Sequence, residues 1–559
     1  MASDRAGRRT QWIALLLAIL GLLGGSETGG GVAGGSGAGG SGAGAGDRPE
    51  GESGPPYRLR VLADGELADL EPVLREAAAA TGVTVELSPT TTREAARLVA
   101  TGEAGRDHEA VWTASGTYLR ADPAAAARLA TSTRTMATPV VLGLRRSVVD
   151  RLGWRGRAIG WAEIAAAAGR HGFTFGMADP SASHAGVSAL VGVATALSGT
   201  GTALREQGVR DAAAPLRGLF GAQSLKAHSS TALIDAYVRA QGAPAAADGL
   251  VDYESVLLSL NASGRLREPL ELIYPSDGVA TADYPLTLLD DAGPEARDAY
   301  RRLADHLRRP AVQAEIAQRT KRRPVVPGVA VPGSDGPVPA ERLFELPFPT
   351  GRGVVDKLVA EYYGQLRRPA RTVYVLDVSG SMAGPRLDAL RAALTRLATE
   401  GPPAAARFQE REQATLVPFR GRPAAPRTFE LPATDPATTL QDIRGYAAGL
   451  RAGGDTALYE ALVVAHRIVG KQAARDPDRI TTVVLLTDGR TTAGRDLAAF
   501  TAYWRGLDGP AGNVPVFPVL FGESDEPEMR ALAELTGGQV FDARTTPLEE
   551  IFVRIRADQ

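Results

Sequence analysis

The sequence predicts an α/β protein built in two parts, and three observations carry that prediction. Strand and helix signals alternate from Thr372 to Ile555, the pattern of a doubly wound, mostly parallel sheet. A second alternation runs from Tyr57 to about Arg323. Between them, 324–339 is rich in Pro, Gly and Val and marks a boundary.

In the C-terminal part, the apolar run Val373-Tyr374-Val375-Leu376 ends at Asp377-Val378-Ser379-Gly380-Ser381-Met382. A buried parallel strand would bring Asp377 to the carboxyl edge of the sheet, where open α/β folds bind ligands. Thr481 to Leu486 is a second buried strand, ending at Thr487-Asp488-Gly489. Gly453-Gly454-Asp455-Thr456 opens a helical pattern of Leu458, Leu462, Val463 and His466. Leu387, Leu390, Ala393, Leu394 and Leu397 repeat at helical spacing. Ala414–Val417 and Val514–Phe521 read as strands. Thr536-Gly537-Gly538 stops a helix, and Leu548, Ile551 and Phe552 begin the last one. Taken alone, D-x-S-G-S could be a capped strand-to-helix turn; three such elements in order, each after a suitable strand or before a suitable helix, point to a cation cradle.

These pieces resemble the von Willebrand factor type A domain with its metal-ion-dependent adhesion site. The resemblance implies that Asp377, Ser379, Ser381, Thr456 and Asp488 form one site for Mg²⁺, or Mn²⁺ or Ca²⁺ in its place. One carboxylate with two hydroxyls is a sparse shell that leaves a magnesium position free for an outside carboxylate. The implied partner is a protein that supplies an acidic residue.

In the N-terminal part, Leu59–Ala63, Val83–Leu87, Ala110–Trp112, Pro139–Leu144, Phe173–Pro180 and Leu270–Ile273 read as strands. Trp161–Ile164, the run from Val187 and a segment starting at Val251-Asp252-Tyr253-Glu254-Ser255 read as helices, as does the chain from about Leu70. Phe175 to Ala189 and Tyr274 to Leu286 give this order a resemblance to the two-lobed bacterial extracellular solute-binding proteins. That implies two α/β lobes closing on a solute, with crossovers near Thr135–Pro139 and Ile273–Pro275. Ser115 and Gly116 end a strand and Ser183 opens a helix, so their N–H and hydroxyl groups are candidates for a solute, with Tyr253 beside them.

The N-terminus bears on compartment. Arg5, Arg8 and Arg9 precede the apolar run Trp12 to Leu23, the pattern of an export signal or an uncleaved anchor. Gly25 stands where a lipoprotein signal of this type would carry a cysteine, and the chain has no cysteine at all. That removes disulfides, thiolate metal sites and lipid attachment to a cysteine. The expected plan is a signal or anchor over 1–25, a Gly/Ser-rich linker over 26–56, a solute-binding-like domain over 57–325, an interdomain linker with a packed helix near Val354–Tyr363 over 326–367, and a von Willebrand factor type A domain over 368–559. With 62 basic and 64 acidic residues and no basic stripe, nucleic acid is not an expected partner. The six histidines show no zinc spacing, and no Walker loop or G-x-S-x-G elbow occurs. The expected function is an exported or cell-surface binding protein, not an enzyme. It acts in metal-dependent adhesion or assembly, or alternatively as a solute-capture receptor for transport or sensing.

Overall fold

A computed structural model of the chain describes residues 55–243, 246–333, 338–339, 343–399, 404–507, 509–522 and 525–558. The expected export signal and nearly all of the Gly/Ser-rich linker lie outside these residues. The described chain opens with β1 (Tyr57–Asp64), β2 (Val83–Thr90), β3 (Ala110–Trp112) and β4 (Leu129–Arg134). It then crosses to a second sheet with β5 (Thr138–Arg145), β6 (Phe175–Ala178), β7 (Gln223–Ala227), β8 (Gly249–Tyr253), β9 (Leu270–Ile273) and β10 (Thr281–Ala282). β11 (Pro285–Leu289) returns to the first sheet, whose order is β2-β1-β3-β11-β4. The second sheet runs β10-β5-β8-β6-β7, with β9 also on β5. Two lobes joined by two crossovers result.

The first crossover falls where the sequence places it, between β4 and β5. The second does not. β10 pairs with β5, Thr281 opposite Pro139, and keeps the chain in the second sheet past Ile273–Pro275, so the crossover comes at Asp283 and Tyr284. Val251–Tyr253 is likewise not the start of a helix. It belongs to β8, buried along its length between β5 and β6, and the helix begins at Glu254. A short apolar strand buried on both faces has no alternation to betray it.

A third sheet follows: β12 (Ala370–Asp377), β13 (Gln413–Phe419), β14 (Arg427–Glu430), β15 (Ile480–Thr487), β16 (Val516–Leu520) and β17 (Phe541–Asp542), in the order β14-β13-β12-β15-β16-β17. All neighbours are parallel except β13 and β14. β12 lies in the middle and is buried throughout. Val373 and Val375 enter one core and Tyr374 and Leu376 the other, so helices cover both faces, as a parallel sheet requires.

The segment between the lobes and this sheet is a strap. Glu345 bridges Val279 near the second crossover. The Phe348 ring meets Tyr118 of the first lobe at 6.2 Å, and Arg352 pairs with Asp122 at 3.4 Å. The helix Arg352–Glu361 then crosses to the second lobe, where Lys357 meets Glu206 at 2.7 Å. A π-helical turn, Tyr362–Leu366, ends it. Tyr362 donates to Gln223 at 2.7 Å, and the Tyr363 hydroxyl reaches both oxygens of Asp179. Ser53–Gln559 thereby form one compact unit.

Candidate metal centre and inter-lobe cleft

β12 and β15 end side by side, and each ends in an acid. Asp377 is fully buried and Asp488 is 2% exposed. The Ser379 N–H donates to Asp377 Oδ1 at 2.9 Å, and the Thr487 hydroxyl donates to Oδ2 at 2.6 Å. Ser379 and Ser381 hydroxyls lie 3.1 Å apart, and Ser381 Oγ donates to Asp488 Oδ1 at 2.9 Å. Arg386 holds the other Asp488 oxygen and reaches the Ser381 carbonyl at 3.2 Å.

Thr456 arrives on a loop clasped to the same edge. The Gly453 N–H donates to the Val378 carbonyl at 2.9 Å, and the Gly380 N–H to the Gly454 carbonyl at 2.8 Å. Gly453 and Gly454 have φ of 157° and 80°, and the latter is a left-handed conformation that a side chain would strain. The Thr456 N–H donates to Thr492 Oγ1 at 2.9 Å and its carbonyl accepts from Thr491 Oγ1 at 3.1 Å, which fixes it to the loop that follows Asp488. All five predicted residues thus lie on one sheet edge, four of them in one hydrogen-bonded chain. Thr487 and Arg386 were not singled out in the sequence. Thr487 was legible as the residue before the acid, while nothing local marks Arg386.

Burial pushes the Asp377 carboxyl above the usual carboxylate range, and the Asp488 charge adds to this against hydrogen bonds from Ser379 and Thr487. Among the described residues Asp377 makes no ion pair. A buried carboxylate without a cation and a ring of hydroxyls is a donor set of hard oxygens that fits a small divalent ion. Among the described residues no cluster of three or more His, Cys, Asp or Glu could hold a metal; two carboxylates with three hydroxyls is a different kind of set.

The second candidate site lies between the lobes, a cavity of about 260 Å³. Asp64, Glu66, Thr90 and Thr91 face it from the first lobe, and Ser183, His184, His228, Ser230 and Tyr253 from the second. The helix His184–Leu197 starts here with Ser183 at its N-cap, and the Ser183 side chain makes no capping bond. Its first-turn N–H groups have no acceptor within the helix. The helix Ser230–Ala240 also starts here, capped by Ser229. Ser183 and Tyr253 therefore line the cavity. Ser115 and Gly116 do not. The Gly116 N–H donates to the Asp283 carboxylate at 3.0 Å, and Ser115 Oγ accepts from Tyr118 N–H at 3.2 Å, so Asp283 occupies the place a solute anion would take. Ser229 and Ser230 follow β7 as Ser183 follows β6, a serine-before-helix signal that the sequence did offer.

The family described as von Willebrand factor type A domain matches residues 372–490, and the family described as bacterial extracellular solute-binding protein matches residues 59–319. The chain joins a solute-binding-like segment to a von Willebrand factor type A domain. The type A domain is similar to part of the inter-alpha-trypsin inhibitor heavy chain H4 of Sus scrofa, 31% identical over 129 residues, covering 22% of this chain and 13% of that protein. It is also similar to an uncharacterized protein of Mycobacterium tuberculosis, 34% identical over 125 residues, covering 22% of this chain and 18% of that one. The chain thus spans less than a fifth of the length of these relatives. Among solved structures, the solute-binding-like part is similar to the Trichodesmium IdiA (FutA) protein in complex with iron and citrate (13% identity, TM-score 0.41, 54% of this chain, 96% of that one). Others are the sulfate-binding protein SubI of Mycobacterium tuberculosis (20%, 0.40, 54% and 98%) and iron-bound HitA of Pseudomonas aeruginosa (15%, 0.42, 55% and 99%). Among the described residues no helix is long and apolar enough to cross a membrane.

Proposed function

We propose that the protein is an exported binding protein that engages a protein partner through a divalent cation, Mg²⁺ or its substitutes, at the Asp377 edge. The observation that carries this reading is the hydrogen-bonded convergence of Asp377, Ser379, Ser381 and Asp488, with the Thr456 loop clasped beside them. Asp377 and Asp488 would supply charge, and Ser379, Ser381 and Thr456 neutral oxygens. The Thr487 hydroxyl aims the Asp377 carboxylate, and Arg386 steadies Asp488. When bound, the ion supplies an electrophilic position that an outside carboxylate can fill. The reading assigns binding and no catalysis; among the described residues, neither histidine nor lysine hydrogen-bonds to the acid–hydroxyl chain to serve as a base.

The cavity between the lobes supports a second role, capture of a small solute, because two helix N-termini and several hydroxyls face it. A thermal-shift screen of small solutes on the full chain, with and without Mg²⁺, tests both roles. Stabilisation by Mg²⁺ alone supports the adhesion role, and stabilisation by a solute in the presence of EDTA supports capture. Neither effect would overturn both.

A further inference from the structure

Exposed arginines stand on one side of the edge that carries Asp377. Arg420 and Arg422 flank Gly421 at the tip of the turn after β13, which is held by an Ala424 N–H bond to the Pro418 carbonyl at 2.8 Å and a bridge between Phe419 and Pro423. Both side chains are exposed, and among the described residues neither enters an ion pair. The turn is fastened to the Thr456 loop: the Ala457 N–H donates to the Arg420 carbonyl at 2.8 Å, and a Cβ on Gly454 would lie 3.6 Å from Arg420 Cδ. The Arg420 stem therefore runs over Gly454, beside the residues proposed to hold the cation. Arg451, also exposed, opens the Thr456 loop and spends its Nη1 on the carbonyls of Ala448 and Leu450. On these two loops Asp455 is the lone acid.

Exposed arginines near one another repel, and water and salt only screen that repulsion without removing it. A guanidinium fork left without an acid suits a carboxylate, which it can grip with two parallel hydrogen bonds. The edge thus pairs a central position for one carboxylate with a flank for more.

We propose that the partner is an acidic peptide segment. One of its carboxylates meets the Asp377 edge, and neighbouring Asp or Glu side chains meet Arg420 and Arg422. The inference rests on the metal reading for its central carboxylate and on the arginines for the flanking ones. A long polyanion such as heparin or DNA fits less well than a short acidic segment, since its charge would run on past the arginines over Asp455 and Asp525 on the same rim.

The test is fluorescence anisotropy of a labelled hexaglutamate peptide with the full-length protein in Mg²⁺ and in EDTA, over a range of NaCl concentrations. Heparin and a DNA duplex serve as competitors. The wild type should bind in Mg²⁺ with affinity that falls as salt rises. Arg420→Ala/Arg422→Ala should weaken binding about tenfold or more and flatten the salt dependence, as expected for charges on a rim. Calorimetric Mg²⁺ affinity should be unchanged in that variant, and Arg420→Lys/Arg422→Lys should restore part of the peptide binding. Equal binding by wild type and the alanine double variant overturns the proposal. So does tighter, arginine-dependent binding of heparin or DNA than of the peptide, and so does a wild type that binds Mg²⁺ but not the peptide. Arginine-dependent peptide binding that persists in EDTA supports the acidic partner and overturns the metal reading alone.

Discussion

His228 and Asp558 join the rim of the inter-lobe cleft to the end of the last helix. Asp558 Oδ1 accepts the His228 backbone N–H at 3.0 Å and lies 3.0 Å from its Nδ1. Beside them Lys226 of β7 pairs with Asp179 at 2.9 Å and donates to the Arg556 carbonyl. Arg556 and Arg367 both grip Glu412, just before β13. The contacts lie at the end of the type A sheet opposite Asp377, because Arg367 and Glu412 precede strands that Asp377 and Phe419 close. The type A domain is therefore seated on the second lobe by its far pole, and its candidate metal edge is left facing away.

Glu412 is the acid on which this seat depends. Its carboxylate and both guanidinium groups are 4% exposed or less. Glu412→Gln leaves two buried cations facing each other. It should lower stability by roughly 3–5 kcal/mol, the usual penalty for breaking a buried pair from one side. Urea unfolding of the full chain measures this, and a change below about 1 kcal/mol would mean that water relieves the pair.

Tyr363 bridges the strap and the second lobe through a single hydroxyl shared between the Asp179 oxygens, and Ser181 lies 2.9 Å from it. Burial pushes Asp179 up, but the Lys226 ammonium and the hydroxyls of Ser181 and Tyr363 outweigh it and hold the carboxyl below its ordinary range. Tyr363→Phe should cost about 1–3 kcal/mol, read by the same denaturation. It should also raise the rate of proteolytic cleavage within 343–366, which reports the strap directly.

Asp252 supplies a pH signature. It is fully buried, and its Oδ1 accepts from Ser230 Oγ and the Tyr253 N–H while Oδ2 has no partner. Burial pushes it up to about 6. A carboxyl raised in the folded state favours folding while protonated, so its contribution is complete below about pH 4 and is lost as pH rises through about 6. Asp252→Asn should remove that falling limb and make the protein more stable than wild type at pH 7.5, by an amount of order 1–3 kcal/mol. Melting temperatures at pH 4.5, 6 and 7.5 check the sign; a variant less stable than wild type at pH 7.5 contradicts it.

The meeting of Asp377 and Asp488 at one sheet edge was legible because its signals are local. Asp377 follows the apolar run Val373–Leu376, and Asp488 follows Val483–Leu486 with Thr487 between, so the strand's end fixes where each acid sits. The cleft was half legible for the opposite reason. Ser115 and Ser183 carry the same serine-before-helix signal, and only the fold brings Asp283 onto Gly116 while leaving the Ser183 hydroxyl without a capping bond. The seat of the type A domain left no local trace, since Lys226, Glu412 and Arg556 come together from three distant stretches of chain.

The claim that the Asp377 edge holds a divalent cation is tested most directly by isothermal titration calorimetry of Mg²⁺ into the full-length protein, comparing wild type with Asp377→Ala and Asp455→Ala. The account predicts one saturable site in wild type and in Asp455→Ala, and none in Asp377→Ala. Free Mg²⁺ at ~100 times the dissociation constant should raise wild-type stability by about 2.7 kcal/mol. Equal Mg²⁺ affinity in wild type and Asp377→Ala, or no binding by wild type, would contradict it.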